Sequence, residues 1–139
     1  MKTAAWLFLV LPQWYFGLAL KAFAVGAFAI VPAVGALSLA VGAVLGLRKR
    51  RADFLLFLLP VALSHVLVAT AGAFRGQLNS DRNAPILLAF MILQALTGAY
   101  LVYRAKGARI AAGALFIFTL TYALVAAFVA AMAFSDSWL

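Results

Sequence analysis

The sequence predicts an all-α protein, a polytopic bundle of transmembrane helices, and three observations support this. Hydrophobic residues make up 68% of the 139 residues and charged residues only 10%, whereas soluble domains have about 45–50% apolar and about 25% charged residues. Most of the charges stand in short breaks between apolar runs. The runs reach the roughly 20 residues that a helix needs to cross a bilayer. Because polar side chains are too few to cover a water-exposed surface, we expect the outer surface to face lipid.

We expect a single transmembrane domain covering residues 1–139, and the apolar runs divide it into five spans. Their approximate limits are residues 4–25, 32–51, 52–74, 85–103 and 110–134. The last three are clearly bounded, because a polar stretch follows residue 74 and a basic break follows residue 103. Pro85 suits the first turn of a helix, where its missing N–H costs nothing. Gly107 suits the end of a helix.

The first fifty residues allow two interpretations, because residues 3–47 form one apolar run with a single charge, Lys21. One helix of that length would measure about 67 Å, more than twice the hydrocarbon core. We favour a division into two spans, with Gly26 as a cap and Pro32 in the next first turn. In the alternative, residues 6–16 form an interfacial or re-entrant segment and one long kinked helix follows, which leaves four spans.

The basic residues predict the orientation of the chain, since short cytoplasmic loops retain Lys and Arg. Seven of the eleven basic residues stand in two breaks, at residues 48–51 and 104–109. With both breaks in the cytoplasm and five spans, eight basic residues lie inside and three outside. The four-span alternative has seven inside and four outside. We therefore expect a multi-pass protein of a bacterial-type inner membrane with its C-terminus outside.

The first basic break could also contact the headgroups of anionic lipids. It consists of Arg48, Lys49, Arg50 and Arg51. We expect no nucleic-acid partner, because no basic domain outside the membrane carries a groove-reading surface.

Two stripes of small residues are predicted to pack helices against each other, because association in lipid depends on close approach of backbones. Both repeat every four residues and so follow one helix face. They are Ser38, Gly42 and Gly46, and Thr119, Ala123, Ala127 and Ala131. We expect contacts within the chain, with a homo-oligomeric interface as the alternative.

His65 is the only titratable side chain deep in a predicted span, and Pro60 lies about one turn before it. An ionisable group inside the membrane is a functional candidate, because a charge there costs a few kcal/mol. The one acid of the predicted spans, Asp53, lies at the edge of its span, twelve residues before His65. No Asp or Glu therefore stands close enough to hold His65 charged, and we expect a neutral, hydrogen-bonded packing residue. The alternatives are a proton-linked or substrate-binding role, and a haem or metal ligand completed by other subunits.

Other polar residues in the spans are candidates for interhelical hydrogen bonds or for a solute path. Gln13 and Gln94 are expected to be buried and paired, since a side-chain amide facing lipid would lack a partner. A transport path would be lined by His65, Gln94, Thr97 and Thr121.

The polar stretch after residue 74 contains a second candidate binding site. Arg75, Asp81 and Arg82 could bind a lipid phosphate or a partner's carboxylate through charge-assisted hydrogen bonds. An ordinary solvated loop is the simpler interpretation.

Motifs of known chemistry are missing from the sequence, which has three acids and no cysteine. It has no phosphate-binding glycine loop, no nucleophile elbow and no zinc motif. We therefore expect no catalytic residues, no cofactor and no metal site formed by this chain alone. The preferred function is a non-catalytic accessory or assembly subunit of a membrane complex, or a homo-oligomeric structural bundle. The alternatives are a transporter or channel for a small solute or ion, and a lipid- or quinone-binding membrane enzyme.

Overall fold

The computed structural model describes residues 2–21, 27–49, 52–76 and 80–135. Within these ranges the chain forms a bundle of five α-helices and one short 3₁₀ helix, Ala52–Phe57, without a strand. The α-helices are α1 (Lys2–Leu20), α2 (Ala27–Lys49), α3 (Leu58–Ala73), α4 (Ser80–Arg104) and α5 (Arg109–Ser135). The predicted all-α helical bundle is therefore confirmed.

Four segments are long and apolar enough to cross a membrane, which makes the chain a small multi-pass membrane protein. They are Ala29–Gly46, Phe54–Ala73, Arg82–Arg104 and Arg109–Ser135. The described part of α1 contains a shorter apolar helical stretch, Leu9–Leu20. At about 1.5 Å per residue, even the 18 residues of Ala29–Gly46 measure close to the thickness of the hydrocarbon core.

The first fifty residues form two helices rather than one long helix. α1 ends at Leu20 and α2 begins at Ala27, while the predicted cap Gly26 lies outside the described residues. Pro32 lies inside α2 and not in its first turn, so α2 begins earlier than the predicted span. Residues 6–16 are helical within α1, and the Tyr15 side chain is completely buried. Pro32 lies in the interior of α2, as in the four-span alternative, and four segments of the described chain reach the length of a span. A fifth span formed by α1 therefore stays a prediction.

The predicted span at residues 52–74 changes its helix type near Pro60. The 3₁₀ helix Ala52–Phe57 leads directly into α3, and Pro60 is the third residue of α3. Proline has no N–H to donate to the carbonyl four residues earlier, and in the first turn of a helix this missing donor costs nothing. Pro60 is therefore a first-turn residue of α3.

α5 is the central helix of the bundle and contacts each of the other four α-helices. Small side chains, among them Ala123, Ala126 and Ala130, are completely buried along it and allow its neighbours to approach closely. α1 also packs against α2 and α3. In contrast, α4 packs mainly on α5 and has few contacts with α3, although α3 precedes it in the chain.

Two glycines with positive φ follow the ends of helices. Gly107 (φ 77°) follows the end of α4, as its position in the sequence predicted, and Gly76 (φ 67°) follows the end of α3. Both values lie in the left-handed region, which glycine occupies without steric cost. The Gly76 N–H also donates to the carbonyl oxygen of Ala133 at 3.3 Å, which ties the end of α3 to α5.

Candidate functional site

His65 and Tyr122 form a hydrogen-bonded pair between α3 and α5. The Tyr122 hydroxyl oxygen lies 3.0 Å from Nε2 of His65, and the two ring centroids are 5.8 Å apart. Tyr122 is almost fully buried and His65 is partly buried. An unpaired phenolic hydroxyl in hydrocarbon would cost several kcal/mol, about the cost of any unsatisfied polar group there. The histidine therefore provides the partner that the tyrosine requires at this depth.

A second pair joins α1 to α5. The Tyr15 hydroxyl and Oγ1 of Thr121 are 2.7 Å apart, and the Thr121 hydroxyl also donates to the carbonyl oxygen of Phe118 at 2.9 Å. A threonine hydroxyl has one hydrogen to donate. Because Thr121 gives its hydrogen to Phe118, the Tyr15 hydroxyl donates to Thr121.

The two pairs contact each other through aromatic rings. The centroids of Tyr15 and Tyr122 are 4.9 Å apart with a 52° tilt, and Phe118 lies 5.9 Å from Tyr15 and 5.7 Å from Tyr122. Tilted and edge-to-face arrangements at these distances are favourable. We call the residues Tyr15, His65, Phe118, Thr121 and Tyr122 the central cluster. Its residues come from α1, α3 and α5. The two hydrogen-bonded pairs are joined by ring contacts and not by a continuous chain of hydrogen bonds among the described residues.

Gly35 allows α2 to pack against the central cluster. A Cβ atom at this position would overlap the hydroxyl oxygen of Tyr15 and Oγ1 of Thr121. The absence of a side chain at Gly35 therefore leaves room for the Tyr15–Thr121 hydrogen bond. At Gly35, α2 therefore also contacts the central cluster.

Gln94 forms a separate polar site between α3 and α4. Its side-chain amide nitrogen donates to the carbonyl oxygen of Pro60 at 2.9 Å and to the Ser64 hydroxyl at 3.3 Å. The Ser64 hydroxyl also donates to the Pro60 carbonyl at 3.0 Å. Gln94 is 2% exposed, and its Oε1 atom is buried with no hydrogen-bond partner in the described part of the chain.

The residues predicted to line a transport path do not come together at one place. His65 and Thr121 belong to the central cluster, whereas Gln94 bonds Pro60 and Ser64. Thr97 is partly exposed on α4. Gln13, which we expected to be buried, is exposed on α1.

The predicted outer-loop residues lie where α3 ends and α4 begins. Arg75 and Arg82 are both exposed, and the side chain of Asp81 lies outside the described residues. The first basic break is described only in part. Arg50 and Arg51 lie outside the described residues, as do the side chains of Arg48 and Lys49.

The predicted stripe of small residues on α2 faces other parts of the same chain. A Cβ atom at Gly42 would meet the Leu115 side chain at 2.7 Å, and one at Gly46 would meet the Phe54 ring at 3.1 Å. Ser38 is partly buried. Gly42 therefore packs against α5, and Gly46 against the 3₁₀ helix.

The predicted stripe on α5 divides between the interior and the surface. Thr119 and Ala123 are buried, and the Thr119 hydroxyl donates to the carbonyl oxygen of Phe116 at 2.9 Å. Ala127 and Ala131 are partly exposed.

Sequence reasoning missed Tyr15, Gly35, Ser64 and Tyr122 as members of these sites. Tyr15 and Tyr122 lie well inside apolar runs, where a hydroxyl must find a partner, so their positions were a usable signal. Gly35 precedes Gly42 by seven residues, which places both near one helix face. Ser64 follows Pro60 by four residues, and a serine hydroxyl in a helix can donate to the carbonyl four residues before it, as Ser64 does here.

Among the residues that the structure describes, His65, Gln94, Thr97 and Thr121 line neither of the two cavities that follow. One, of about 640 Å³, is lined by Leu63, Val66, Leu67, Thr70, Phe74, Ile86, Phe90 and Phe134. The other, of about 450 Å³, lies at the basic α4–α5 connection, with Leu45, Lys106, Gly107, Ala108, Arg109, Ile110 and Ala111. No three His, Asp or Glu residues are grouped to hold a metal ion in the described ranges.

Comparison with known proteins gives no relative from which a role could be transferred. No family model, curated protein or solved structure matches the chain.

Proposed function

We propose that the chain is a non-catalytic membrane bundle, acting as an accessory or assembly subunit of a larger membrane complex or as a homo-oligomeric structural protein. One observation carries this proposal. The buried polar side chains that could line a path instead form hydrogen bonds between helices, through Tyr15–Thr121, His65–Tyr122 and Gln94–Pro60.

These hydrogen bonds connect four of the five α-helices. α1 is bonded to α5, α3 to α5, and α4 to α3. Measured interhelical bonds in lipid contribute on average about 0.6 and at most about 1.7 kcal/mol each. Such bonds set the register of helices that slide easily against each other when their contacts are only apolar. A bundle held in one register is suited to presenting a constant surface to lipid or to another protein.

α4 offers the most exposed surface for a partner. Only 17% of the residues in the candidate span of α4 are buried, the lowest share of the four spans, whereas 50% are buried in the span of α5. Its outward side carries large apolar residues, Leu88, Ile92, Leu93, Leu96 and Tyr100, each at least half exposed. Either lipid or a neighbouring helix would cover this side. We propose α4 as the surface that contacts the partner protein.

The proposed orientation places both basic breaks in the cytoplasm and the C-terminus outside, in a bacterial-type inner membrane. The order of the helices is consistent with this orientation. α3 and α4 lie between the two basic breaks, and two crossings of the membrane return the chain to the side from which it started. Anionic lipid at Arg48, Lys49, Arg50 and Arg51 is part of this proposal, since the cytoplasmic leaflet attracts basic segments.

Photo-crosslinking in native membranes tests the proposed role. A photoreactive residue replaces Leu96 on α4, which is 64% exposed, and in a matched control replaces Val44 on α2, which is 53% exposed. We expect a discrete protein adduct from position 96 that is absent or much weaker at position 44. An adduct of twice the chain's mass indicates a homo-oligomer, and any other mass indicates a subunit of a complex. Equal, weak adducts at both positions would contradict the proposal.

A transport assay tests the part of the proposal that excludes transport. Proteoliposomes containing the wild-type chain should show the same ion and solute leak as protein-free liposomes, and His65→Ala should leave it unchanged. Any flux above the protein-free level would overturn the proposal, and loss of that flux in His65→Ala would place His65 in the path. We expect no flux because His65 is hydrogen-bonded to Tyr122 between two helices.

A further inference from the structure

An apolar groove separates α3 from α4 near the end where α3 finishes and α4 begins. It is the cavity of about 640 Å³ described above, and its lining residues come from the C-terminal part of α3, the N-terminal part of α4, and Phe134 of α5. Farther along, the Gln94–Pro60 hydrogen bond holds α3 and α4 together. α3 and α4 are therefore hydrogen-bonded to each other at Gln94 and Pro60, and the groove separates them closer to the connection between them.

The groove has almost no capacity to bind a polar ligand. Thr70 is the only polar side chain in its lining, and its hydroxyl donates to the carbonyl oxygen of Val66 at 2.8 Å. The buried Phe134 ring contributes to the lining from α5, and Val66 and Phe74 are at least half exposed. A void of this size lies in the range of about 300–1,000 Å³ that ligand pockets occupy. Water would find almost no partners in it, so a hydrocarbon chain is the suitable occupant.

Two arginines stand next to lining residues, where the candidate span Phe54–Ala73 ends and the span Arg82–Arg104 begins. Arg75 directly follows the lining residue Phe74, and Arg82 precedes the lining residue Ile86 by one helical turn. Both arginine side chains are exposed. Guanidinium groups form strong, often bidentate hydrogen bonds with phosphate. The groove therefore combines an apolar wall with positive charge at one end, as a phospholipid requires.

We propose that this groove binds one acyl chain of an anionic glycerophospholipid, with Arg75 and Arg82 contacting its phosphate. The bilayer itself supplies the ligand, so no soluble carrier is needed. An acyl chain gains no hydrophobic free energy when it moves from bulk lipid into this groove, because both surroundings are apolar. The shape of the groove alone therefore favours one lipid over another only weakly. The charge pairing at the arginines therefore provides the selectivity for lipids of net negative charge. This proposal stands independently of the role proposed above.

The headgroup contact is tested by native mass spectrometry of the detergent-solubilised chain titrated with phosphatidylglycerol or with phosphatidylcholine of the same acyl chains. We expect one phosphatidylglycerol to be retained at concentrations where phosphatidylcholine is not. Arg75→Gln and Arg82→Gln should each weaken its apparent affinity about fivefold, the value of one basic residue near a lipid surface. Arg104→Gln, at the opposite end of α4, is the matched control and should have no effect. Equal binding of both lipids, or equal weakening by Arg104→Gln, would overturn the proposal.

The acyl-chain contact requires a variant that fills the groove. Val66→Trp places a large ring in it from a position that is 58% exposed, so the bundle core is not disturbed. Ile92→Trp on α4, at 51% exposure and outside the groove lining, is the control. We expect Val66→Trp to lose the retained phosphatidylglycerol and Ile92→Trp to keep it. If Val66→Trp retains the lipid as well as wild type does, the lipid does not occupy this groove and the proposal fails.

Discussion

The Tyr122 hydroxyl oxygen and Nε2 of His65 lie 3.0 Å apart and join α5 to α3 inside the bundle. The same tyrosine ring contacts Tyr15 of α1 at a centroid distance of 4.9 Å. One residue of the central helix thus touches two others that come from distant parts of the sequence. We therefore expect the free energy of unfolding to change when a single atom of Tyr122 is removed.

Tyr122→Phe removes the hydroxyl and keeps the ring. We expect the free energy of unfolding in detergent or bicelles to fall by about 0.6 to 1.7 kcal/mol, the range of interhelical hydrogen bonds in lipid. Tyr100→Phe, at a side chain that is 59% exposed, is the matched control and should change stability by no more than about 0.5 kcal/mol. A double-mutant cycle with His65→Leu measures the pair. A coupling energy of zero would show that the contact contributes nothing.

Gly35→Ala should destabilise the bundle by about 1 to 3 kcal/mol, the usual cost of overpacking. The added Cβ would overlap the hydrogen-bonded oxygen atoms of Tyr15 and Thr121. Gly17→Ala is the control, because nothing lies within 4 Å of a Cβ at Gly17. That change should be neutral, or stabilising by up to about 1 kcal/mol through helix propensity.

A rescue variant separates this steric effect from other causes. Tyr15→Phe removes one of the two overlapped oxygen atoms, so Gly35→Ala should cost less in the Tyr15→Phe background than in wild type. Thermal unfolding followed by circular dichroism measures all four proteins. Strict additivity of the two changes would contradict the close approach of α1 and α2 at this point.

Gln94→Leu should change the free energy of unfolding by less than about 1 kcal/mol. The substitution removes a hydrogen bond to the Pro60 carbonyl, but this carbonyl keeps the Ser64 hydroxyl as a donor. It also removes the buried Oε1 atom, which has no partner in the described ranges and whose burial costs about 1 to 3 kcal/mol. Gln94→Ala instead leaves a cavity and should cost about 2 kcal/mol or more. If both variants lose the same free energy of unfolding, the hydrogen bonds of the Gln94 amide stabilise this site, and the volume that its side chain fills does not.

The proposed orientation predicts which side of the membrane each connection faces. Because the chain has no cysteine, a single introduced cysteine can be labelled without interference. Arg75→Cys should react with a membrane-impermeant maleimide in intact cells, whereas Lys106→Cys should react only after the membrane is permeabilised. Both positions are exposed, so accessibility within the protein does not limit either reaction. The reverse pattern would place the basic breaks outside.

The general character of the fold was readable from the sequence because it depends on chemistry averaged over long segments. The long apolar runs predicted an all-helical membrane bundle, and the polar stretch after Phe74 and the basic residues around Gly107 predicted where α3 and α4 end. Helix limits set by proline were less predictable. A proline can occupy a first turn, as Pro60 does, or lie within a helix, as Pro32 does. The choice depends on the neighbouring helices.

The sequence alone determined that this chain belongs in a membrane, because hydrocarbon affinity is a sum over residues and does not depend on their arrangement. Only the tertiary structure decided that His65 meets Tyr122, that Tyr15 meets Thr121, and that Gln94 reaches Pro60. In lipid, apolar side chains on every face of a helix are equally suited to the surroundings, so hydrophobic periodicity does not indicate which face turns inward. Which helices become neighbours is decided by close packing of small residues and by the pairing of a few polar atoms.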